Sequence, residues 1–70
     1  MKKPNIYKFT YTCEENVLRK KYFSCQTPEI AISQFNAGME HKHQAPENIH
    51  VYECPGGGHT WTLVFSTTGF

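Results

Sequence analysis

One segment, Thr27 to Lys42 (TPEIAISQFNAGMEHK), most limits what this 70-residue chain can fold into. Thr27 is a good N-cap, because its hydroxyl can accept from the free amides of the first helical turn, and Pro28 suits the first helical position. Apolar residues then recur with a helical period at Ala31, Ile32, Phe35 and Met39. The segment therefore predicts one amphipathic helix, which needs a sheet to bury its apolar stripe.

Strand-like segments lie on both sides of the predicted helix. Asn5–Cys13 alternates polar with apolar residues and Val17–Cys25 follows a polar turn, which predicts a hairpin. Glu47–Cys54 and His59–Ser66 flank a Pro-Gly-Gly-Gly turn and predict a second hairpin. We therefore expect a single α+β domain over residues 1–70, built in the order β-β-α-β-β. Its antiparallel sheet should have strand order 2-1-3-4, with the helix on one face and a right-handed crossover.

The strand alternation also predicts which side chains face the helix. The helix-facing set is Tyr7, Phe9, Tyr11, Cys13, Phe23, Cys25, Ile49, Val51, Trp61, Leu63 and Phe65. The bare face of the sheet should carry Lys8, Thr10, Lys20, Tyr22, His50, Tyr52, Thr62 and Val64. Arg19 and Lys21 fall on the helix side by the same count, so we expect them to lie beyond the helix or to extend outward into water.

Charge is nearly balanced over the whole chain but not along it. Residues 1–26 contain six Lys and Arg against two Glu, a net of +4. Residues 27–70 contain one Lys against four Glu, a net of −3, so the total is +1. We therefore expect one basic and one acidic side, in a protein without the overall charge of a dedicated nucleic-acid binder.

The composition also indicates a cellular compartment. Three cysteines, an odd number, argue against a disulfide framework. The N-terminal MKK is not followed by the apolar region of a signal peptide, and no run approaches the length of a membrane span. We expect a reduced, cytoplasmic protein that does not contact membranes.

The bare sheet face is the first candidate site. Aromatic rings interleaved with cations are the pattern with which sheets bind single-stranded RNA, because bases stack on the rings and cations hold phosphates. The predicted contact residues are Lys8, Arg19, Lys20, Lys21, Tyr22, His50 and Tyr52. Two plainer interpretations stay open: the tyrosines pack against their own neighbours, and the run Arg19–Lys21 protects an edge strand from aggregation.

Two further features are weaker candidates. Cys25, Cys54 and His59 fall at one end of the predicted sheet and are residue types that bind zinc, although they lack the usual ligand spacing. The alternative is that both cysteines are small buried hydrophobic residues. The sequence shows no set of nucleophile, base and orienting group, so we expect neither an enzyme nor a cofactor.

The other predicted edge strand differs from the basic one. The segment Trp61–Phe65 (WTLVF) carries no charge. An uncharged edge invites pairing with a partner strand or with a second copy of itself. A homodimer through this strand is therefore a further expectation.

The order of the segments YKFTYTC, RKKYFSC, TPEIAISQF and ENIHVYEC, followed by a hairpin, resembles the layout of several small β-β-α-β modules. One group is a short archaeal ribosomal protein family, whose members are usually much more basic. Another is the small phage-encoded inhibitors of bacterial defence, including anti-CRISPR proteins. The second resemblance implies a stand-alone module that acts by docking, and it assigns no role to any residue.

These observations give three hypotheses of function. The leading one is a non-catalytic protein that docks on a larger protein or nucleoprotein complex, as a phage or mobile-element inhibitor that blocks a nucleic-acid-binding surface. The first alternative is an RNA- or single-stranded-DNA-binding module that uses the bare sheet face. The second alternative is a small structural domain stabilised by zinc.

Overall fold

A computed structural model describes residues 3–13 and 17–69. In chain order it contains β1 (Asn5–Thr12), β2 (Leu18–Cys25), α1 (Pro28–His41), β3 (Glu47–Cys54) and β4 (Thr62–Thr67). The strands form one sheet in the order β2-β1-β3-β4, and every neighbouring pair is antiparallel. The predicted α+β fold and strand order are confirmed.

The helix α1 begins and ends where its local sequence indicates. Thr27 has extended backbone angles and its Oγ1 accepts a hydrogen bond of 3.4 Å from the amide of Ile30, while Pro28 opens the first turn. At the other end, the amide of Lys42 donates to the carbonyl of Gly38 at 3.2 Å. His43 then takes a positive φ of 55°, which turns the chain away from the helix axis.

The core lies between α1 and the sheet and is built around stacked aromatic rings. Phe35 of α1 stacks on Phe9 of β1 with ring centroids 4.5 Å apart and planes 19° apart. Tyr11 meets the Phe35 ring edge-on at 5.0 Å, and Phe23 meets the Phe9 ring edge-on at 5.3 Å. Aromatic pairs add about 0.5–1.5 kcal/mol beyond the area they bury, so these contacts fix the position of α1 over β1 and β2.

Lys21 lies half-buried on the helix side of the sheet, with its ammonium group beside α1. It pairs with Phe9 across the β1–β2 ladder and so starts on the helix side of the sheet. Its Nζ lies 3.9 Å from the position that a Cβ would take at Gly38, beside the last turns of α1. Burial, followed by the neighbouring ammonium of Lys42, lowers the pKa of Lys21. Arg19 is exposed at the same edge strand.

The structure corrects two predictions for the last strand. β4 begins at Thr62 rather than His59, and its register with β3 shifts between Val51 and Tyr52. Phe65 pairs with Val51, whereas Leu63 pairs with Tyr52, so one extra residue, Val64, lies between the two pairs. An extra residue moves every side chain that precedes it in the strand to the opposite face of the sheet, because successive side chains point to alternate faces.

The predicted helix-facing positions of Leu63 and Trp61 are therefore wrong, and so is the outward position of Thr62. Phe65 keeps its predicted side, opposite Val51, and Val64 has no partner in the register. Both faces of β4 are also far more open than expected, with Leu63 50% and Phe65 38% exposed. A helix is about 10 Å wide, whereas four strands about 4.8 Å apart span more than 14 Å, so one helix leaves the outermost strand uncovered.

A buried tyrosine links β1 to β3 on the helix side. The Tyr7 phenol donates a 2.7 Å hydrogen bond to Glu53 Oε2 and accepts one of 3.1 Å from the Asn5 amide. Burial raises the pKa of Tyr7. The hydrogen bond from Asn5 lowers this pKa, and the Glu53 carboxylate raises it further. Burial is also the main cause that raises the pKa of Tyr11, with Cys13 adding and Arg19 opposing.

These raised pKa values predict a loss of stability in alkali. A phenol that holds its proton more tightly in the folded state stabilises the fold below its unfolded pKa of about 10, and this contribution is lost as the pH rises through the higher folded pKa. The urea midpoint should therefore fall faster above about pH 10 in the native protein than in Tyr7→Phe, which lacks one such proton. An equal alkaline slope in the two proteins would contradict the Tyr7 assignment.

Candidate binding face

The side of the sheet turned away from α1, called the open face from here on, has two adjacent rows of side chains at its centre. The cross-strand register defines both rows. The first row contains Tyr22, Lys8, Tyr52 and Leu63. The second row contains Lys20, Thr10, His50 and Ser66. The structure thus brings together five of the seven predicted contact residues: Lys8, Lys20, Tyr22, His50 and Tyr52.

The centre of the open face is an ammonium group held between two aromatic rings. Lys8 Nζ lies 4.9 Å from the ring centroid of Trp61 and 5.0 Å from that of Tyr52. Both distances are within the roughly 6 Å range of a cation–π interaction, worth about 0.5–1 kcal/mol at exposed sites. The Tyr22 ring is 6.4 Å from the Trp61 ring. We call Lys8, Tyr22, His50, Tyr52 and Trp61 the aromatic–lysine cluster.

His50 extends the aromatic–lysine cluster along β3. Its ring is nearly parallel to that of Tyr52, at 6.5 Å and 19°. Its Nδ1 lies 3.1 Å from the carbonyl oxygen of Asn48. A carbonyl can only accept, so Nδ1 donates in this hydrogen bond.

Trp61 is the member of the cluster that the sequence prediction placed on the wrong face. Its position depends on the turn after β3, where the Gly58 amide donates to the Pro55 carbonyl at 2.8 Å. A Cβ at Gly56 would lie 2.5 Å from the Lys3 carbonyl oxygen, so only glycine lets this turn approach the start of the chain so closely. The Gly56 amide also donates to Asn5 Oδ1 at 3.2 Å. These contacts attach the turn to the sheet, and Trp61 follows it onto the open face.

One sequence signal could have indicated the position of Trp61. The alternating prediction put nine aromatic or aliphatic residues and two cysteines on the helix side of the sheet. The helix offers only three buried residues against them, Ala31, Phe35 and Met39. The apolar face that these three residues form on one helix covers little more than two strands of the sheet. Some of the predicted inward residues of the outermost strand therefore had to remain in contact with water.

Charge is distributed unevenly between the two sides of the molecule. The two rows of the open face contain the cations Lys8 and Lys20 and no carboxylate. Glu53 faces the helix side, where it accepts from Tyr7. The exposed carboxylates of Glu29 and Glu40 lie on α1, on the other side of the sheet. The two rows are therefore basic and rich in aromatic rings, and the carboxylate of Glu47, which pairs with Thr12, lies beyond them on the same face.

The two remaining predicted contact residues, Arg19 and Lys21, do not belong to the open face. They pair with Tyr11 and Phe9, whose side chains are buried on the helix side. Together with Lys20 they place three consecutive cations on β2, which is an edge of the sheet. The basic run thus has members on both faces of one edge strand.

The three candidate metal ligands are not brought together. Cys25 lies on the helix side, where its Sγ donates to Gln34 Oε1 at 3.5 Å. Cys54 pairs with Ile6 on the open side, and its Sγ donates to the Gly58 carbonyl at 3.3 Å. His59 is exposed in the loop before β4. Within residues 3–13 and 17–69, no group of three His, Cys, Asp or Glu side chains is arranged to hold a metal ion.

Exposed apolar residues line the β4 edge of the sheet, where Trp61 and Leu63 continue the open face and Phe65, opposite Val51, lies on the helix side. Leu63, Val64 and Phe65 of β4 are 50%, 40% and 38% exposed, and Trp61 beside them is 38% exposed. Single exposed apolar residues are ordinary on protein surfaces, but a contiguous run of this size is typical of an interaction surface.

Comparisons with known proteins give no match: no protein-family model, no curated protein and no solved structure matches this chain. Over the residues that the structure describes, no helix is both long enough and apolar enough to cross a membrane.

Proposed function

We propose that this chain is a non-catalytic binding protein that docks on a larger protein or nucleoprotein complex through its open face. The observation that carries the proposal is the aromatic–lysine cluster, in which Lys8 lies between the rings of Trp61 and Tyr52 on an exposed surface. Trp and Tyr dominate the energetics of protein interfaces, because each buries a large, rigid surface at a low entropic cost. The exposed side chain of Leu63, next to Tyr52 in the same row, enlarges the surface that a partner would bury.

The charges of the open face favour an acidic partner surface. Lys8 and Lys20 are the charged side chains of its two rows, so a partner that presents carboxylates or phosphates would meet complementary charge. The proposal includes a cytoplasmic location, and the three free thiols of Cys13, Cys25 and Cys54 are consistent with a reducing compartment.

A narrower proposal is an inhibitor from a phage or mobile element that blocks a nucleic-acid-binding surface. It is supported by the layout resemblance to small inhibitors of bacterial defence. A nucleic-acid-binding surface is basic, so this mode would use the exposed carboxylates of Glu29 and Glu40 on α1 rather than the open face. Replacing Glu40 with lysine would therefore weaken this mode and leave docking through the open face unchanged.

Single-stranded RNA or DNA is the second candidate ligand, and one observation favours it: the open face combines exposed rings with cations and carries no carboxylate in its two rows. Bases would stack on Tyr22, Tyr52 or Trp61 while Lys8 and Lys20 contact phosphates. Two phosphate contacts on a single strand give a slope of about −1.4 for the logarithm of affinity against the logarithm of salt concentration.

The proposal is tested by capturing partners from a lysate of the source cells with the tagged protein, with and without nuclease. The matched bait is the double variant Lys8→Ala/Trp61→Ala, which removes the centre of the cluster. We expect one stoichiometric protein that survives nuclease treatment, binds the purified native chain and loses most of its affinity for the double variant.

The other outcomes decide between the candidates. Recovered material that disappears with nuclease and raised salt would replace the protein-docking proposal with nucleic-acid binding. A purified partner that binds the double variant as tightly as the native chain would refute the assignment of the open face. No stoichiometric partner and no binding to labelled single-stranded oligonucleotides would refute both proposals.

A further inference from the structure

The two edges of the sheet differ in a way that goes beyond docking through the open face. β2 forms one edge and carries Arg19, Lys20 and Lys21 in succession. β4 forms the other edge and reads TLVFST, without a charge or a proline. Charged side chains and prolines are the usual means by which proteins prevent edge strands from pairing with other chains. β2 is therefore protected against pairing, and β4 is protected only by its bulge at Val64.

We propose that β4 pairs antiparallel with β4 of a second copy of this chain, so that two four-stranded sheets join into one eight-stranded sheet. An antiparallel pair of identical strands is related by a two-fold axis, and each copy contributes the same surface to such an interface. The pairing brings the exposed apolar residues Leu63, Val64 and Phe65 of one copy against those of the other. No like charges meet, because β4 carries none.

The asymmetry of the edges also limits the assembly to two copies. A further copy would have to add at β2, where its own β2 would face the same three cations and its β4 would meet an edge that those cations protect against pairing. Like charges placed opposite each other across a strand pair are destabilising. The dimer is therefore closed, and it does not extend into a fibre.

The proposed dimer has a consequence for the open face. A two-fold axis perpendicular to the joined sheet keeps the open faces of both copies on the same side. The two Lys8 side chains would then be separated by five strand spacings of about 4.8 Å each, or about 24 Å. Two aromatic–lysine clusters on one continuous surface can bind two sites of a partner that repeats the same surface. The overall affinity then exceeds that of either contact alone, because the second contact forms within the same complex.

The size of the interface sets the strength that we expect. β4 is six residues long, which corresponds to a contact about 20 Å in length. The buried area then lies at the low end of specific interfaces, below about 1,200 Å² in total, where association is weak or transient.

The measurement is sedimentation velocity of the native chain from about 5 μM to 1 mM, a range that covers weak association of this kind. We expect the mass to rise from 8.1 kDa toward twice that value.

Matched single substitutions identify the strand responsible. Val64→Lys puts two like charges near the two-fold axis, and Ser66→Lys does the same from a second exposed position. The control Leu18→Lys adds the same charge to β2, where the replaced side chain is 64% exposed. We expect both β4 variants to weaken the dimer at least tenfold and the β2 variant to dimerise like the native chain, with circular dichroism verifying the fold of each.

Three results would overturn the proposal. One is a monomeric mass over the whole concentration range. Another is a dimer that persists in both β4 variants or is lost equally in Leu18→Lys. The third is assembly beyond two copies. Because no charge pair holds the β4 interface, the dimer should also persist at high salt, which separates it from phosphate-dependent binding by the open face.

Discussion

Replacing Phe35 with alanine should cost about 3–5 kcal/mol of folding free energy and leave the protein close to unfolded at room temperature. Phe35 is 1% exposed, and it is the side chain through which α1 contacts the aromatic residues of β1 and β2. Its removal leaves a cavity beside the Phe9 and Tyr11 rings, and this cavity adds to the cost of the lost contacts. Stability near 0.05–0.15 kcal/mol per residue gives a 70-residue domain roughly 4–10 kcal/mol, so one such loss consumes most of it.

The measurement is urea unfolding followed by circular dichroism, with Ile30→Ala as the matched control. Ile30 lies on the same helix and is 46% exposed, so its truncation should change the free energy of unfolding by no more than about 0.5 kcal/mol. A loss below about 1 kcal/mol for Phe35→Ala would mean that the stacked rings do not hold the helix on the sheet.

The second large effect concerns binding rather than folding. Trp61→Ala should weaken the binding of the partner by about 2 kcal/mol or more, which is roughly thirtyfold. The indole supplies one of the two rings that hold Lys8 Nζ, and it lies beside the exposed Tyr22 ring. Its loss removes contact area and leaves Lys8 free to move, so both the apolar and the charged parts of the surface are affected.

Two controls separate the open face from a general effect on the surface. Ile30→Ala removes an exposed apolar side chain from α1, on the opposite side of the sheet, and should leave the affinity unchanged. Lys8→Met should lower the affinity, whereas Lys42→Met at the end of α1 should not.

Trp61 is the only tryptophan of the chain, so its fluorescence reports directly on whether a ligand reaches the cluster. Affinity that does not change in Trp61→Ala would exclude the cluster as the contact surface.

Local sequence was sufficient for the elements whose signals lie within a few residues. Thr27 and Pro28 predicted the start of α1 because capping is a local hydrogen-bonding problem. Alternation over β1 and β2 predicted that Lys8 and Tyr22 lie side by side on the open face, as the register shows. β3 has the predicted bounds, Glu47–Cys54. The pairing of β1 with β2 is uninterrupted, and the register of β1 with β3 shifts only between Thr10 and Thr12, beyond the rows that contain Lys8 and Thr10.

The candidate site was only partly predictable from the sequence. Its central ring, Trp61, precedes β4, and the alternation of side chains in β4 is interrupted by one extra residue. Trp61 precedes a one-residue shift at Val64, and nothing in the letters TWTLVF distinguishes a regular strand from one with an extra residue. The shift lies in the pairing of β4 with β3, and the turn between the two strands is attached through the Gly56 amide to Asn5. Those are contacts between residues far apart in sequence.

The sequence by itself determined the helix, its caps, the antiparallel order of the strands and the composition of most of the open face. Each of these depends on local periodicity or on the shortest connection between neighbouring segments. The tertiary structure alone decided that Trp61 joins Lys8 and Tyr52, that Cys25 and Cys54 lie on opposite faces, and that β4 remains exposed. The physical reason is that an extra residue in a strand reverses the faces before it, and that one helix is too narrow to cover four strands.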